Sequence, residues 1–370
     1  MKIAHVVLKA LPFGGGIEKY VEEIGPRLAA KGHEIVVYTM RHYGTPPGSY
    51  KGMRIVPIPA LPSKFAEKIT SSLLATLHAC FKEKPDLIHF HSFTQQTTFL
   101  PKWMGIPALV QGHGLEWKRS RWNAAGKWIL KLSEWLMVSS TDNLTAVSRV
   151  QQDYLRKTYG KECCYIPTGV NPPNRLEPKE ITQLWGLKGR DYFLTAVRLV
   201  PEKGIHTLIE AYRGLSLPAK LVIAGDAGHE KAYFRRLKAL AGDDPRIVFT
   251  GYVSGSPYAE LMSNAYAFIL ASDLEGLPTA LLEAMSYGNC CLASDIPENL
   301  EALGGRGLTF KTGSAEDLRW RLLDLWNNPE KTRYYRSMAP QDMMPSFHWD
   351  RIADQFHGLY ARIAATGGDA

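Results

Sequence analysis

Apolar and polar positions along the first forty residues change period twice. The continuous runs IAHVVL and IVVYT predict strands Ile3–Leu8 and Ile35–Thr39 covered on both faces, as in a parallel sheet. Between them, after Gly14-Gly15-Gly16, the residues Ile17, Tyr20, Ile24 and Leu28 recur at helical spacing, so the segment reads as a βαβ unit. Pro26 lacks a helical donor and is expected to kink or end that helix. Further strands are predicted at Leu87–Phe90, Ala108–Gln111, Asn143–Val147 and Cys164–Pro167, with helical stretches between. Thr168 to Arg175, dense in Pro, Gly and Asn, reads as a linker.

A second series follows: strand Tyr192–Val197, helix His206–Arg213, strand Lys220–Ala224, helix Tyr233–Ala241, then strands Ile247–Thr250, Ala267–Leu270 and Cys290–Ala293. The chain therefore predicts two α/β halves with parallel sheets, whose ligands would sit in a cleft beyond the carboxyl ends of strands. Apolar positions from Phe347 to Ile363 predict a last helix packing back on the first half, with the tail ATGGDA frayed.

One helix stands out. In ASDLEGLPTALLEAMSYG, Ala271 to Gly288, Pro278 suits a first turn and Gly288 an end, yet the apolar run between carries the single carboxylate Glu283, with Glu275 in the loop ahead. A helix apolar on nearly every side is normally buried, and a buried carboxylate is costly unless something pairs with it or hydrogen-bonds to it.

Composition bounds the chemistry. At 370 residues the chain exceeds one ordinary core, and 45% apolar with 22% charged residues are globular values. A net charge of +8 favours an anionic partner. Five cysteines, two pairs of them adjacent, match neither a secreted disulfide framework nor a CxxC zinc site, and suggest a reduced, cytoplasmic setting. The first residues lack a signal-peptide pattern, and no run of eighteen apolar residues predicts a membrane span.

Several motifs carry candidate chemistry, each beside a plainer reading. The glycine cluster opens a helix where backbone N–H groups can approach a phosphate, and a tight turn serves it equally. Arg198 and Lys203, between a strand and a helix, could clamp a diphosphate or be solvated surface cations. His113, between glycines after a strand, suits either a ligand cleft or a structural histidine. His89 and His91 share a strand face, but no Cys/His/Asp cluster supports a metal there. Gly305 to Thr312 fails as a P-loop because Phe310 precedes Lys311. Trp117, Trp122, Trp128 and Trp135 alternate with Lys118, Arg119, Arg121, Lys127 and Lys131, which suits an anionic membrane surface or an ordinary amphipathic helix. No nucleic-acid-binding module surrounds them.

Taken in order, FGGGIEKYVEEI, DLIHFHS, QGHG, TAVSRVQQDYL, YIPTGVN, AVRLVPEKGIHTLIEAY, LVIAGDAG, FTGYVS, EGLPTALLEAMSYG and ASDIPENLEAL run nearly end to end. The chain resembles the GT-B-fold, retaining nucleotide-sugar glycosyltransferases of family 4. The resemblance implies two Rossmann-like α/β/α domains facing a central cleft: residues 1–170 for the acceptor, 171–345 for the nucleotide sugar, and 346–370 as a helix returning to the first domain. It implies that Gly14, Gly15 and Gly16 approach the donor diphosphate, which Arg198 and Lys203 neutralise, and that His113 lies by the transferred sugar. Gly251, Tyr252 and Val253 would border the base, and Gly276, Leu277, Pro278 and Thr279 would line the donor. Glu275 and Glu283 match the E-x7-E motif, Glu275 toward the sugar and Glu283 on the ribose hydroxyls.

No cofactor is expected, and without an aromatic-flanked DxD no metal. The implied activity is retaining transfer of a hexose or deoxyhexose from a nucleoside diphosphate to a lipid-linked or glycan acceptor in cell-surface polysaccharide or glycoconjugate synthesis. The implied location is cytoplasmic and peripheral at the inner face of the membrane, with no nucleic-acid partner. GLEWKRSRW is similar to a subset that includes rhamnosyltransferases. A nucleotide-sugar epimerase of the same fold and a non-catalytic nucleotide-sugar-binding subunit are the alternatives. The base, sugar, linkage and oligomeric state are not legible.

Overall fold

A computed structural model of the chain describes residues 1–12, 15–61, 66–120, 122–228, 230–338 and 344–366. Gly14, Arg121 and the end of the tail lie outside the described residues. The chain divides into two units: the residues up to Gly169 together with the C-terminal helix Trp349–Thr366, and Val170–Ser346.

The first unit is built on β1 (Lys2–Leu8), β2 (Glu34–Met40), β3 (Gly48–Tyr50), β4 (Met53–Ile58), β5 (Leu87–Phe90), β6 (Ala108–Gly112), β7 (Leu144–Ala146) and β8 (Cys164–Tyr165), in the order β3-β4-β2-β1-β5-β6-β7-β8. Every pairing is parallel except β3 with β4. Alternate residues of β1 serve two cores: Ile3 joins a cluster with Tyr20, Ile24, Leu28, Ile352 and Phe356, while Ala4 and Val6 join one with Met137, Val138 and Leu155. Helices thus cover both faces, as the unbroken apolar strands require.

The β3–β4 hairpin is not among the strands read from the sequence, and its β4 contains Pro57, a residue that argues against an interior strand. β3 pairs only with Met53–Ile55, so Pro57 is flanked on one side alone, by Thr39 of β2. Pro26 does not end its helix, which runs from Gly16 to Ala30. Arg27 Nη1 donates to the Glu23 carbonyl and carboxylate, at 2.7 and 2.8 Å, within the turn that proline disturbs.

The second unit holds β9 (Tyr192–Ala196), β10 (Lys220–Ala224), β11 (Ile247–Gly251), β12 (Ala267–Leu270), β13 (Cys291–Ser294) and β14 (Leu308–Phe310), all parallel in the order β11-β10-β9-β12-β13-β14. Its core includes Phe193, Leu221, Ile223, Ile269 and Leu292. The anticipated strands agree to within a residue or two at their ends; β14, three residues long, was too short to show a period.

Both sheets reverse their strand order once. In the first, β2 lies on one side of β1 and β5 on the other; in the second, β10 and β11 extend to one side of β9 and β12 to the other. Ligands of open α/β sheets bind outside the carboxyl ends at such a switch.

Candidate functional site

At the switch of the second sheet, backbone geometry brings the loops after β9 and β12 together. Gly204, at φ +62°, packs so closely that a Cβ would stand 1.9 Å from the Ala271 carbonyl oxygen, and the Asp273 N–H donates to the Glu202 carbonyl at 2.9 Å. Gly225, at φ +143°, likewise leaves no room beside the Val197 carbonyl, so the turn after β10 lies on the segment carrying Arg198. The consequence is a contact unseen in sequence: Lys203 Nζ meets Glu275 Oε1 at 2.5 Å, with side chains only 16% and 8% exposed. Arg198 is exposed at the same strand end.

The helix Thr279–Ser286 begins after Pro278, which is its N-cap rather than a first-turn residue, and accepts from the Leu281 and Leu282 N–H groups. It closes with the Gly288 N–H donating to Met285 at 2.9 Å, Gly288 standing at φ +75°. Leu281, Leu282, Ala284 and Met285 are buried, whereas Glu283 is only half-buried. Tyr258 Oη donates to Glu283 Oε2 at 2.7 Å. Burial, then the Glu283 charge and this bond, push the Tyr258 phenol well above its ordinary value, so it remains a donor.

Around these lie the other expected donor residues. Gly251 ends β11 at φ +73°, its carbonyl accepting from the Gly225 N–H at 2.8 Å; Tyr252 beyond it is 68% exposed, and Val253 half-buried. Gly276 and Thr279 are half-buried, and Leu277 and Pro278 buried.

The first unit has its own group at the switch between β1 and β5. Gly15 is the extended N-cap of the helix Gly16–Ala30, and a Cβ on Gly16 would meet nothing within 4 Å among the described residues. Glu18, buried in the first turn, accepts from the Lys9 N–H at 3.0 Å and ties the helix to the loop after β1. Tyr20 presents its ring edge-on to His113, with centroids 4.9 Å apart, and its hydroxyl accepts from Gln111 Nε2 at 2.7 Å.

His89 and His91 are not alone on their face. The β1–β5 register sets His5 opposite His89, and donor atoms of His5, His89 and His91 all lie within 4.8 Å of one another. The sequence reading that no cluster supports these histidines is therefore corrected. Hydrogen bonds already engage them: His5 Nδ1 with His91 Nε2 at 2.9 Å, His89 Nδ1 with the Tyr360 hydroxyl at 2.8 Å, and His91 Nδ1 with His113 Nε2 at 3.4 Å. Burial depresses them all, His5 and His113 to about 3 and His89 and His91 well below the usual range, so the imidazoles are neutral, the form that could ligate a metal.

The family model described as Glycosyltransferase Family 4 matches residues 14–173, and that described as Glycosyl transferases group 1 matches residues 179–342. The chain belongs to the GT-B, family 4-like glycosyltransferases. This glycosyltransferase is 23% identical to glycogen synthase of Mycobacterium tuberculosis (strain CDC 1551 / Oshkosh) over 96% of its own length and 92% of that protein. Among solved structures it is similar to sucrose-phosphate synthase from Thermosynechococcus elongatus, with a TM-score of 0.82, 20% identity and 99% of each chain covered. It is also similar to Anabaena HepE solved with UDP and glucose, with a TM-score of 0.81, 17% identity, and 98% of this chain and 100% of that one covered. These two likenesses show the fold.

Sequence reasoning missed the glycosyltransferase's Tyr258, His5, Tyr20, Gln111 and Tyr360. Only His5 carried a local signal, a polar residue inside the apolar run IAHVVL. The others meet their partners across long sequence separations, as in Tyr258 with Glu283 and Tyr360 with His89.

Proposed function

We propose that this glycosyltransferase moves a hexose or deoxyhexose, with retention and without a metal, from a nucleoside-diphosphate sugar onto a glycan or lipid-linked acceptor in polysaccharide or glycoconjugate synthesis. The observation that carries the reading is the Lys203–Glu275 pair at the strand-order switch, with Arg198 at the same strand end and Glu283 on the helix behind. The fold likeness to a protein solved with UDP and glucose supports the donor class.

In this reading Arg198 and Lys203 take the diphosphate charge that grows as the sugar leaves, and backbone N–H groups near Gly15 and Gly16 assist. Lys203 shifts part of its interaction from Glu275 to the phosphate, which frees Glu275 to accept from the sugar. Glu283 accepts from the ribose hydroxyls, and the exposed Tyr252 ring borders the base. The acceptor oxygen bonds to the anomeric carbon on the face from which the diphosphate departs. The old carbon–oxygen bond breaks, and the acceptor proton passes to the diphosphate oxygen. His113 contacts the transferred sugar.

The acceptor side is read from the helix Ala124–Ser140. It buries Gly126, Ser133, Glu134, Met137 and Val138 and turns Trp128, Ile129, Leu132 and Trp135 outward, 67%, 47%, 40% and 53% exposed, beside the exposed Lys127 and Lys131. An apolar face rimmed by cations suits the surface of an anionic membrane. Among the described residues no helix is long and apolar enough to cross one.

The test is a thermal-shift and transfer screen of nucleotide sugars in excess EDTA. Transfer to a lipid-linked or glycan acceptor with the anomeric configuration kept is expected. Conversion of the donor without an acceptor would replace the reading with epimerisation, and loss of transfer restored by magnesium would remove metal independence.

A further inference from the structure

His5, His91 and His113 form a chain of imidazoles joined each time from Nδ1 to Nε2: His5 to His91 at 2.9 Å and His91 to His113 at 3.4 Å. His89 stacks on His91, with centroids 4.2 Å apart, but its Nδ1 is held by Tyr360, so it stands outside the chain. Burial keeps the three rings neutral, with His5 and His113 at about 3. At the inner end His5 is fully buried, and its Nε2 has no hydrogen-bond partner among the described residues.

A neutral imidazole carries one N–H and one lone pair, so the chain has two polarities. With every proton on Nε2, His113 donates to His91 and His91 to His5, and the chain ends on a buried N–H that meets no acceptor. With every proton on Nδ1, His5 donates to His91 and His91 to His113, and the chain ends on an unused lone pair. Orphaned buried donors are rarer in proteins than under-used acceptors, so the unpartnered His5 Nε2 selects the second polarity.

We propose that His5 and His91 are positioning residues that hold His113 in its Nδ1–H tautomer, presenting a hydrogen-bond donor beyond the carboxyl end of β6. Its use, donation to an oxygen of the transferred sugar, rests on the placement of His113 in the proposed transfer reaction; the tautomer itself does not.

The experiment is a long-range proton–nitrogen correlation of the imidazoles in full-length, histidine-labelled protein, with the His113 signals assigned by their loss in His113→Ala. The expected spectrum has His113 Nδ1 in the protonated range and Nε2 in the bare-nitrogen range. The reverse pattern, as a water accepting from His5 Nε2 would produce, overturns the proposal. In His5→Asn the amide can offer either an oxygen or an N–H where Nδ1 stood, so His113 is expected to shift toward a mixture of tautomers; an unshifted signal would mean that His5 does not act on it. Should His5→Asn fail to fold, the wild-type spectrum alone decides. An Nδ1–H His113 in a protein that transfers nothing from the donor panel overturns the proposed reaction and leaves the tautomer standing.

Discussion

Two helices of this glycosyltransferase each carry one carboxylate met by tyrosine hydroxyls, and they use it in opposite ways. On the helix Ala124–Ser140, Glu134 is fully buried, and its Oε1 accepts from both Tyr154, at 2.5 Å, and Tyr159, at 2.8 Å. On the helix Thr279–Ser286, Glu283 is half-buried and accepts from Tyr258, and the loop ahead of it stands at the strand-order switch. The first carboxylate is shut off from solvent, although its Oε2 meets no hydrogen-bond partner among the described residues; the second is part-exposed. A carboxylate in an apolar helix is therefore not by itself a mark of function. What distinguishes the two is exposure to solvent and where the helix meets the sheet.

The largest effect should come from the Lys203–Glu275 pair on the loops ahead of the Glu283 helix. Lys203→Ala removes a cation from the proposed diphosphate site and leaves the Glu275 carboxylate uncompensated. Transfer should fall by roughly a hundredfold or more, and unfolding free energy by about 3 kcal/mol. Adding Glu275→Gln should recover most of the stability, read by chemical denaturation, and none of the turnover. Recovery of both would mean that the pair only braces the loop.

Glu134 should show the opposite profile. Glu134→Ala removes the acceptor of two half-buried phenols and should cost roughly 1–3 kcal/mol, with kcat and donor KM unchanged in the folded protein. Burial raises the Glu134 carboxyl above its ordinary value. The folded state therefore holds this proton more tightly than the unfolded chain, and stability from this group is present below the ordinary carboxylate range and lost as pH rises through the raised value. Glu134→Gln should flatten that slope in denaturation curves taken across the window, and an unchanged slope would count against the assignment.

The smallest effects lie with the tyrosines. Tyr258→Phe should raise donor KM about three- to tenfold, for one hydrogen bond worth about 1 kcal/mol, with kcat nearly constant. Tyr154→Phe should lower stability by a similar energy and leave KM alone. Matching KM changes in both variants would erase the contrast between the helices.

Much of this was legible in the chain. Unbroken apolar runs marked the parallel strands, and the apolar helix with its lone carboxylate marked Glu283. The β3–β4 hairpin was not read from the sequence; β4 holds Pro57, which lies past the end of β3 and beside Thr39 of β2. Pro26, expected to kink or end its helix, does not end it, and the helix continues to Ala30. At the site, the residue types were visible but their partners were not. Lys203 reaches Glu275 because Gly204 admits a close approach of two loops, and no local pattern reports that approach. The histidine cluster was half seen, since His89 and His91 share a strand face by spacing, while His5 joins them only through strand pairing. The exposed Trp128 and Trp135 face was open to two readings in sequence; burial of Glu134 on the opposite side turns the helix's aromatic face outward.

The central claim is that Glu283 faces a ligand and Glu134 does not. Its most direct test is the Kd of the nucleoside diphosphate giving the largest thermal shift, measured calorimetrically for Glu283→Gln and Glu134→Gln. The expected result is about tenfold weaker binding, about 1.4 kcal/mol, for Glu283→Gln and an unchanged Kd for Glu134→Gln. Equal values for the two variants, whether both weakened or both intact, would contradict it.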